Sequence, residues 1–164
     1  MTNFAPPNPM LSPVRIVAST FVPKPWGWES WLVNSHKCDY CMKQLFIKKG
    51  QRTSIHRHLK KDEVLHCHSG TFFIQYMNPA QAMSSAVLPN FTEIVKEGNA
   101  VHVEPGTWHR LTAASDCLIY EVSTFHDDND VERRADWKEQ ADEPQGIHNA
   151  VSDAEGSGEE PRGG

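Results

Sequence analysis

At 164 residues, with 38% hydrophobic and 23% charged side chains, the chain is one ordinary globular domain and not a disordered protein. A formal net charge of −5 without any basic stripe argues against a nucleic-acid groove, and no apolar run reaches the roughly 20 residues of a membrane span. Pro6, Pro7 and Pro9 stand where a secretory signal needs an apolar helix, and four cysteines are too few for a disulfide scaffold, so the expected location is the cytoplasm.

Residues 1–13 are rich in Pro and Asn, lack any period, and read as a flexible arm. Residues 14–22 form an apolar, β-branched segment suited to an outer strand. Pro23-Lys24-Pro25-Trp26-Gly27-Trp28 is rigid and aromatic, and a strand follows at 29–33. A turn at 34–39 leads to a strand at 40–48, which ends at Lys49-Gly50. Strands are predicted at 53–58, 63–69 and 71–77, with Ser69-Gly70 as a tight hairpin between the last two. Residues 78–90 hold Pro79 and Pro89 and read as a loop with room for one helical turn. Short strands at 92–96, 100–104, 108–112 and 117–124 complete the set, separated by turns at 97–99 and 113–116. Many short strands at near-regular spacing spell an all-β barrel or jelly roll. Residues 127–140 are the one convincing helix or irregular cap. Beyond 142 apolar residues nearly vanish, which gives a disordered acidic tail. The expected organisation is therefore an arm at 1–13, a barrel domain at 14–141 and a tail at 142–164.

The stretch from Gly50 to Gly70 organises the rest. His56 and His58 lie one residue apart on an extended segment and so share a face. Glu63 follows a polar turn, Leu59-Lys60-Lys61-Asp62, and a hairpin there returns it to the two imidazoles. Two imidazoles and a carboxylate inside a β-structure are a divalent-metal site short of a fourth ligand, and His109, just after Pro105-Gly106, is the candidate. Strand alternation prunes the other histidines. If Glu63 points inward, so do Leu65, Cys67 and Ser69, while His66 and His68 point away. His102 fits a barrel rim, His36 a turn and His148 the tail. His126, with Asp127 and Asp128, either caps the barrel mouth or begins the exit loop. Cys38-Asp39-Tyr40-Cys41 has zinc-type spacing without a second pair and reads as a chance pair; Cys67 and Cys117 read as core.

The pattern G-x5-H-x-H-x4-E-x6-G from Gly50 to Gly70, then G-x6-P-G-x2-H from Gly98 to His109, resembles the two motifs of the cupin superfamily. That resemblance implies a double-stranded β-helix in which His56, His58, Glu63 and His109 bind one divalent metal ion. The second motif departs from the family pattern, which has one residue between the Pro and the Gly. Three imidazoles and one carboxylate suit Zn, Mn, Fe, Ni or Cu, and ligand type alone does not choose among them. Lys24-Pro25-Trp26-Gly27 with Glu29, the segment Pro105-Gly106-Thr107-Trp108-His109-Arg110-Leu111, Glu121-Val122-Ser123-Thr124 and Arg133 narrow the likeness. Over 23–134 they resemble the mannose-6-phosphate isomerase-like cupins. A sugar or sugar-phosphate isomerase or epimerase is then implied, in which the metal stabilises an enediolate and a side chain moves a proton between carbons one and two.

Several further residues are candidates within that reading. Glu121, if it faces inward with Ile119 and Ser123, is the base; otherwise it is a salt-bridged rim carboxylate. Lys43 and Gln44 point to opposite faces, so one of them reaches the cavity, and Lys43 is assigned to substrate. Arg52 and Arg110 are candidates for phosphate or sugar oxygens, with Arg110 in catalysis, each against the reading of an ordinary surface arginine. Trp108, like Trp26 and Trp28, either stacks on a sugar ring or packs in the core. Two other functions stay open: an Fe(II) small-molecule dioxygenase, and a non-catalytic cupin that binds metal or sugar. Cupins commonly pair, so the resemblance also implies a homodimer through 14–22.

Overall fold

Alternating burial along short strands makes two antiparallel sheets whose apolar faces meet. The computed structural model describes Val14 and residues 16–77 and 91–134. Its strands are β1 (Thr20–Lys24), β2 (Gly27–Ser35), β3 (Tyr40–Ile47), β4 (His56–His58), β5 (Glu63–Ser69), β6 (Thr71–Tyr76), β7 (Phe91–Lys96), β8 (Ala100–Val103), β9 (His109–Ala113), β10 (Cys117–Ser123) and β11 (Val131–Arg133). One sheet has the order β1-β2-β3-β10-β5-β8 and the other β11-β4-β9-β6-β7. Among the described residues no helix is long and apolar enough to cross a membrane.

Strand β3 shows the sorting plainly. Cys41, Lys43, Leu45 and Ile47 are buried, while Met42, Gln44 and Phe46 between them are only partly covered. The inward residues of seven strands, β3 and β5 to β10, meet in one core that includes Ile47, Leu65, Phe72, Ile74 and Ile119. Each such side chain stabilises the barrel by about 1.5–3 kcal/mol through the apolar surface it withdraws from water. The all-β expectation holds.

The connections differ from the expected hairpins. β4 pairs with β9 and β11, whereas β5 pairs with β10 and β8, so residues 59–62 carry the chain from one sheet to the other. Ser69-Gly70 is likewise a crossing, because β6 pairs with β7 and β9 and not with β5. A hairpin would leave the apolar faces of β5 and β6 side by side and uncovered; crossing sets them facing each other. Gly70 has φ 84°, and a Cβ there would lie 2.3 Å from the Asp116 carbonyl oxygen, so only glycine permits this close approach.

Other boundaries move for similar reasons. Strand β1 starts at Thr20, since only Thr20 to Lys24 find partners on β2, and exposed Val14, Ile16 and Val17 lie outside it. Pro23 is tolerated because β1 is an edge. Of the predicted strand at 53–58 only His56–His58 is strand. The predicted helix or cap at 127–140 is instead a 3-10 turn, Asp128–Asp130, followed by β11 against β4. The arm at 1–13, the loop at 78–90, residues 135–140 of that cap and the tail at 142–164 lie outside the described residues.

Candidate metal centre at the polar end of the barrel

His56 and His109 are directly opposed in register between β4 and β9, and their ring centroids are 4.6 Å apart. His58, two residues along β4, places its ring 5.4 Å from that of His56. The Pro105-Gly106 turn is tied to the same strand: Gly106, at φ 83°, donates its N–H to the His58 carbonyl at 2.6 Å. Nδ1 of His56 lies 2.9 Å from the Ser54 carbonyl oxygen, and Nδ1 of His109 lies 3.0 Å from that of Thr107. A proton held on Nδ1 in this way directs Nε2 of each ring into the site. His109 Nε2 meets Glu63 Oε1 at 3.1 Å.

The electrostatics divide the three rings. Burial, then repulsion from His109, holds His56 well below the ordinary imidazole range. Burial and the Lys61 ammonium push His58 down to about 4, and its buried Nδ1 has no hydrogen-bond partner. His109 goes the other way: burial opposes its charge, but the bond to Glu63 outweighs burial and raises its proton affinity. A proton shared by His109 and Glu63 occupies the place of a cation.

A second buried cluster adjoins the rings. Lys61 Nζ lies 2.7 Å from Glu63 Oε2 and 2.5 Å from Glu121 Oε1, and Lys43 Nζ lies 3.7 Å from the same Glu121 oxygen. Ser123 Oγ donates to Glu121 Oε1 at 3.3 Å. All of these side chains are buried. Burial resists the Lys61 charge, but Glu121 and Glu63 more than offset it and hold the ammonium above its usual range. For Glu63, burial is likewise outweighed by the His109 bond and by Lys61, so the carboxylate stays ionised well below its usual range. Buried Asp130 fixes the crossing that carries Lys61, since its carboxylate accepts the backbone N–H groups of Lys60 and Lys61, each at 3.0 Å.

The structure thus brings His56, His58, Glu63 and His109 together and turns Glu121 and Lys43 toward them. Gln44 points outward, bonded to the Tyr120 hydroxyl. Arg110, Arg52 and Trp108 are not brought to the rings. Arg110 follows His109 on β9 and so takes the opposite face, where its Nε donates to Gln75 Oε1 at 2.5 Å. Burial, with Arg52 nearby, lowers it to about 10. Arg52 bridges to Thr112 on that same outer side. Trp108 packs with Ile55 and Met77 under the Arg57 guanidinium. Trp26 packs against the core, and Trp28 stacks on Phe46. His66 and His68 lie on the other face of β5 from Glu63, and exposed His102 meets Asp62 at the rim. His148 lies outside the described residues.

Sequence reasoning missed Lys61, which was read as part of a polar turn. Its signal was the two-residue offset from Glu63, which puts both on one face of an extended segment. It also left His126 undecided; that ring sits 5.8 Å from the ring of His58.

Among the described residues no three His, Cys, Asp or Glu side chains stand ready to hold an ion, and Glu63 is engaged with His109 and Lys61. The donor chemistry nonetheless fits a divalent cation. Two imidazoles are kept neutral, one buried nitrogen is orphaned, and the Glu63 carboxylate is kept ionised.

The family model described as D-lyxose isomerase matches residues 31–143 of the chain. No curated protein matches it. Among solved structures it is similar to KdgF from Halomonas sp., with a TM-score of 0.54 and 14% identity over 67% of this chain and 89% of that one. It is also similar to an RmlC-like cupin from Shewanella frigidimarina, with a TM-score of 0.54 and 12% identity over 68% of this chain and 87% of that one. Oxalate decarboxylase from Bacillus subtilis gives a TM-score of 0.59 and 16% identity over 82% of this chain but only 34% of its own length. At these identities the likeness shows the fold, a cupin double-stranded β-helix.

Proposed function

This chain belongs to the D-lyxose isomerase family, and on that premise we propose that it interconverts an aldose and a ketose, or epimerises a sugar, at a metal held by His56, His58, Glu63 and His109. The observation that carries the reading is the meeting of those four side chains with a buried Lys61–Glu121 pair. Zn, Mn, Fe and Ni all suit the donor set. A divalent ion bound there supplies Lewis acidity to the sugar's carbonyl and neighbouring hydroxyl oxygens.

The chain's own residues then move protons. Glu121 takes a proton from the hydroxyl-bearing carbon and returns it to the adjacent carbonyl carbon. Lys61, hydrogen-bonded to Glu121, gives a proton to the carbonyl oxygen and recovers one from the hydroxyl, so the isomerisation balances without a co-reactant. Lys43, whose Nζ lies 3.7 Å from the same Glu121 oxygen, is the substrate-facing side chain beside that carboxylate. The narrower likeness to mannose-6-phosphate isomerase-like cupins loses its phosphate partners here, because Arg52 and Arg110 occupy the outer side of β9. An unphosphorylated sugar is therefore the favoured substrate. Pairing of two copies along the edge strand β1, where Phe21 is exposed, belongs to the same proposal.

The test is the metal content of chain purified without chelator, alongside aldose–ketose interconversion assays, for wild type and His58→Ala. Near-stoichiometric metal and turnover in the wild type, both lost in the variant, are expected. Stoichiometric iron with oxygen uptake would point to a dioxygenase, and sugar binding without turnover to a binding protein; either overturns the isomerase.

A further inference from the structure

His126 stands beside the histidine cluster, its ring 5.8 Å from that of His58, in a geometry more exact than packing alone requires. Two bonds clamp its backbone to β2: Asn34 Nδ2 donates to the His126 carbonyl, and the His126 N–H donates to Asn34 Oδ1, each at 2.9 Å. The ring meets Trp31 edge-on at 4.8 Å, and Lys43 Nζ lies 4.2 Å over the Trp31 ring. Its Nε2 lies 3.2 Å from Oδ1 of Asp128, whose side chain is 90% exposed, so that edge of the ring faces outward. Nδ1, across the ring, is buried and has no hydrogen-bond partner. With Nε2–H donating to Asp128, Nδ1 carries a bare lone pair, an acceptor that is costly to bury unused.

We propose that His126 is a substrate-positioning residue whose Nδ1 accepts a hydrogen bond from a sugar hydroxyl beyond the two oxygens that face the metal, and so selects among sugars by the configuration of that carbon. This rests on the reading that the barrel holds a sugar. The His58 and His126 rings are 5.8 Å apart, so a polyhydroxylated chain anchored at His58 passes His126 with its next hydroxyls. Trp31 offers that chain an apolar surface, the Asn34 clamp fixes the backbone that carries the imidazole, and the contacts with Trp31 and Asp128 hold the ring. A site built to accept a hydroxyl discriminates strongly against the sugar lacking it, because the acceptor is then left unpaired.

The test measures binding of a pentitol by calorimetry, and KM and kcat for an aldopentose, against the 3-, 4- and 5-deoxy analogues. Wild type should lose about tenfold in affinity for one analogue, the value of one good hydrogen bond. His126→Phe keeps a ring against Trp31 but removes the acceptor. It should weaken the parent sugar about tenfold in KM, leave kcat and metal content unchanged, and no longer distinguish that analogue. His126→Asn, whose Oδ1 falls near the Nδ1 position, should restore most of the affinity, whereas His126→Gln should not. Should the Phe variant fail to fold, the Asn and Gln pair decides. Equal losses on parent and all analogues, or unchanged binding in His126→Phe, overturn the proposal. Normal turnover with no dependence on His126 would sink it and leave the isomerase standing. His126-dependent binding without turnover would support it and remove the isomerase. A wild type that binds no polyol overturns both.

Discussion

On β3, Lys43 faces the same interior as Leu45 and Ile47; on β5, Glu63 precedes Leu65 and Cys67 on one face. His109 stands likewise before Leu111 and Ala113 on β9, and Ile119 before Glu121 on β10. Four strands therefore change character between one inward residue and the next, and the barrel has an apolar half and a charged half with no gap between them. The apolar half gains stability from every side chain it covers. The charged half gains little, because the cost of removing ions from water consumes most of their mutual attraction. The comparison teaches that the first half holds the frame and the second is tolerated within it, its charges compensated in place so that four ionisable side chains stay dry.

The sharpest way to test that division is to damage the frame alone. Phe72→Ala, in the fully buried core, should lower stability by about 3–5 kcal/mol while the folded fraction keeps its metal stoichiometry and KM. Denaturant melts with metal analysis check this, and a parallel loss of metal from still-folded protein would show that the halves are not separable.

Next in size is a change to the charged half. Lys61→Met leaves Glu63 and Glu121 without the ammonium that joins them and should cost on the order of 3 kcal/mol, together with at least about a hundredfold in kcat. Adding Glu121→Gln should recover much of the stability and none of the turnover. If the single variant melts like wild type, charge compensation is not what keeps this half folded.

The smallest effect is a pH slope in metal-free protein. His56 and His58 are depressed in the fold, His58 to about 4, so the unfolded chain binds their protons first as pH falls below 6.5. Their contribution to stability is present above 6.5 and is lost as pH falls through the folded values. His109, raised by Glu63, acts oppositely: its contribution is present below 6.5 and fades as pH rises through its folded value. Glu63, lowered, adds a further loss below its ordinary 4.5. Because the slope from His109 lies above 6.5 and those from His56 and His58 lie below it, melting temperature should fall from pH 6.5 toward 4, and His58→Leu should flatten the fall. An unchanged slope in that variant would mean that His58 is not neutral in the fold.

Much of this was legible along the chain. Period-two alternation sorts Glu63, Leu65 and Cys67 from Val64, His66 and His68, and Ile119, Glu121 and Ser123 from Tyr120 and Val122, because successive strand side chains point to opposite faces whatever the strand pairs with. The same rule applied to β9 puts Arg110 opposite His109, away from the side that the expected role on phosphate or sugar oxygens requires. Spacing alone also marked His56, His58, Glu63 and His109 as a group.

Pairing partners were not legible. Whether residues 59–62 turn back or cross between sheets depends on β8, β9, β10 and β11, distant in sequence, and local propensity is the same in both cases. The charge balance is equally non-local: Lys61 is paired by Glu121, 60 residues on, and its backbone is held by Asp130, 69 residues on. The sequence by itself determined which face each side chain takes, since that is a property of the extended backbone. Only the tertiary structure decided which charges would meet, because a buried ammonium survives only where the fold delivers its carboxylates.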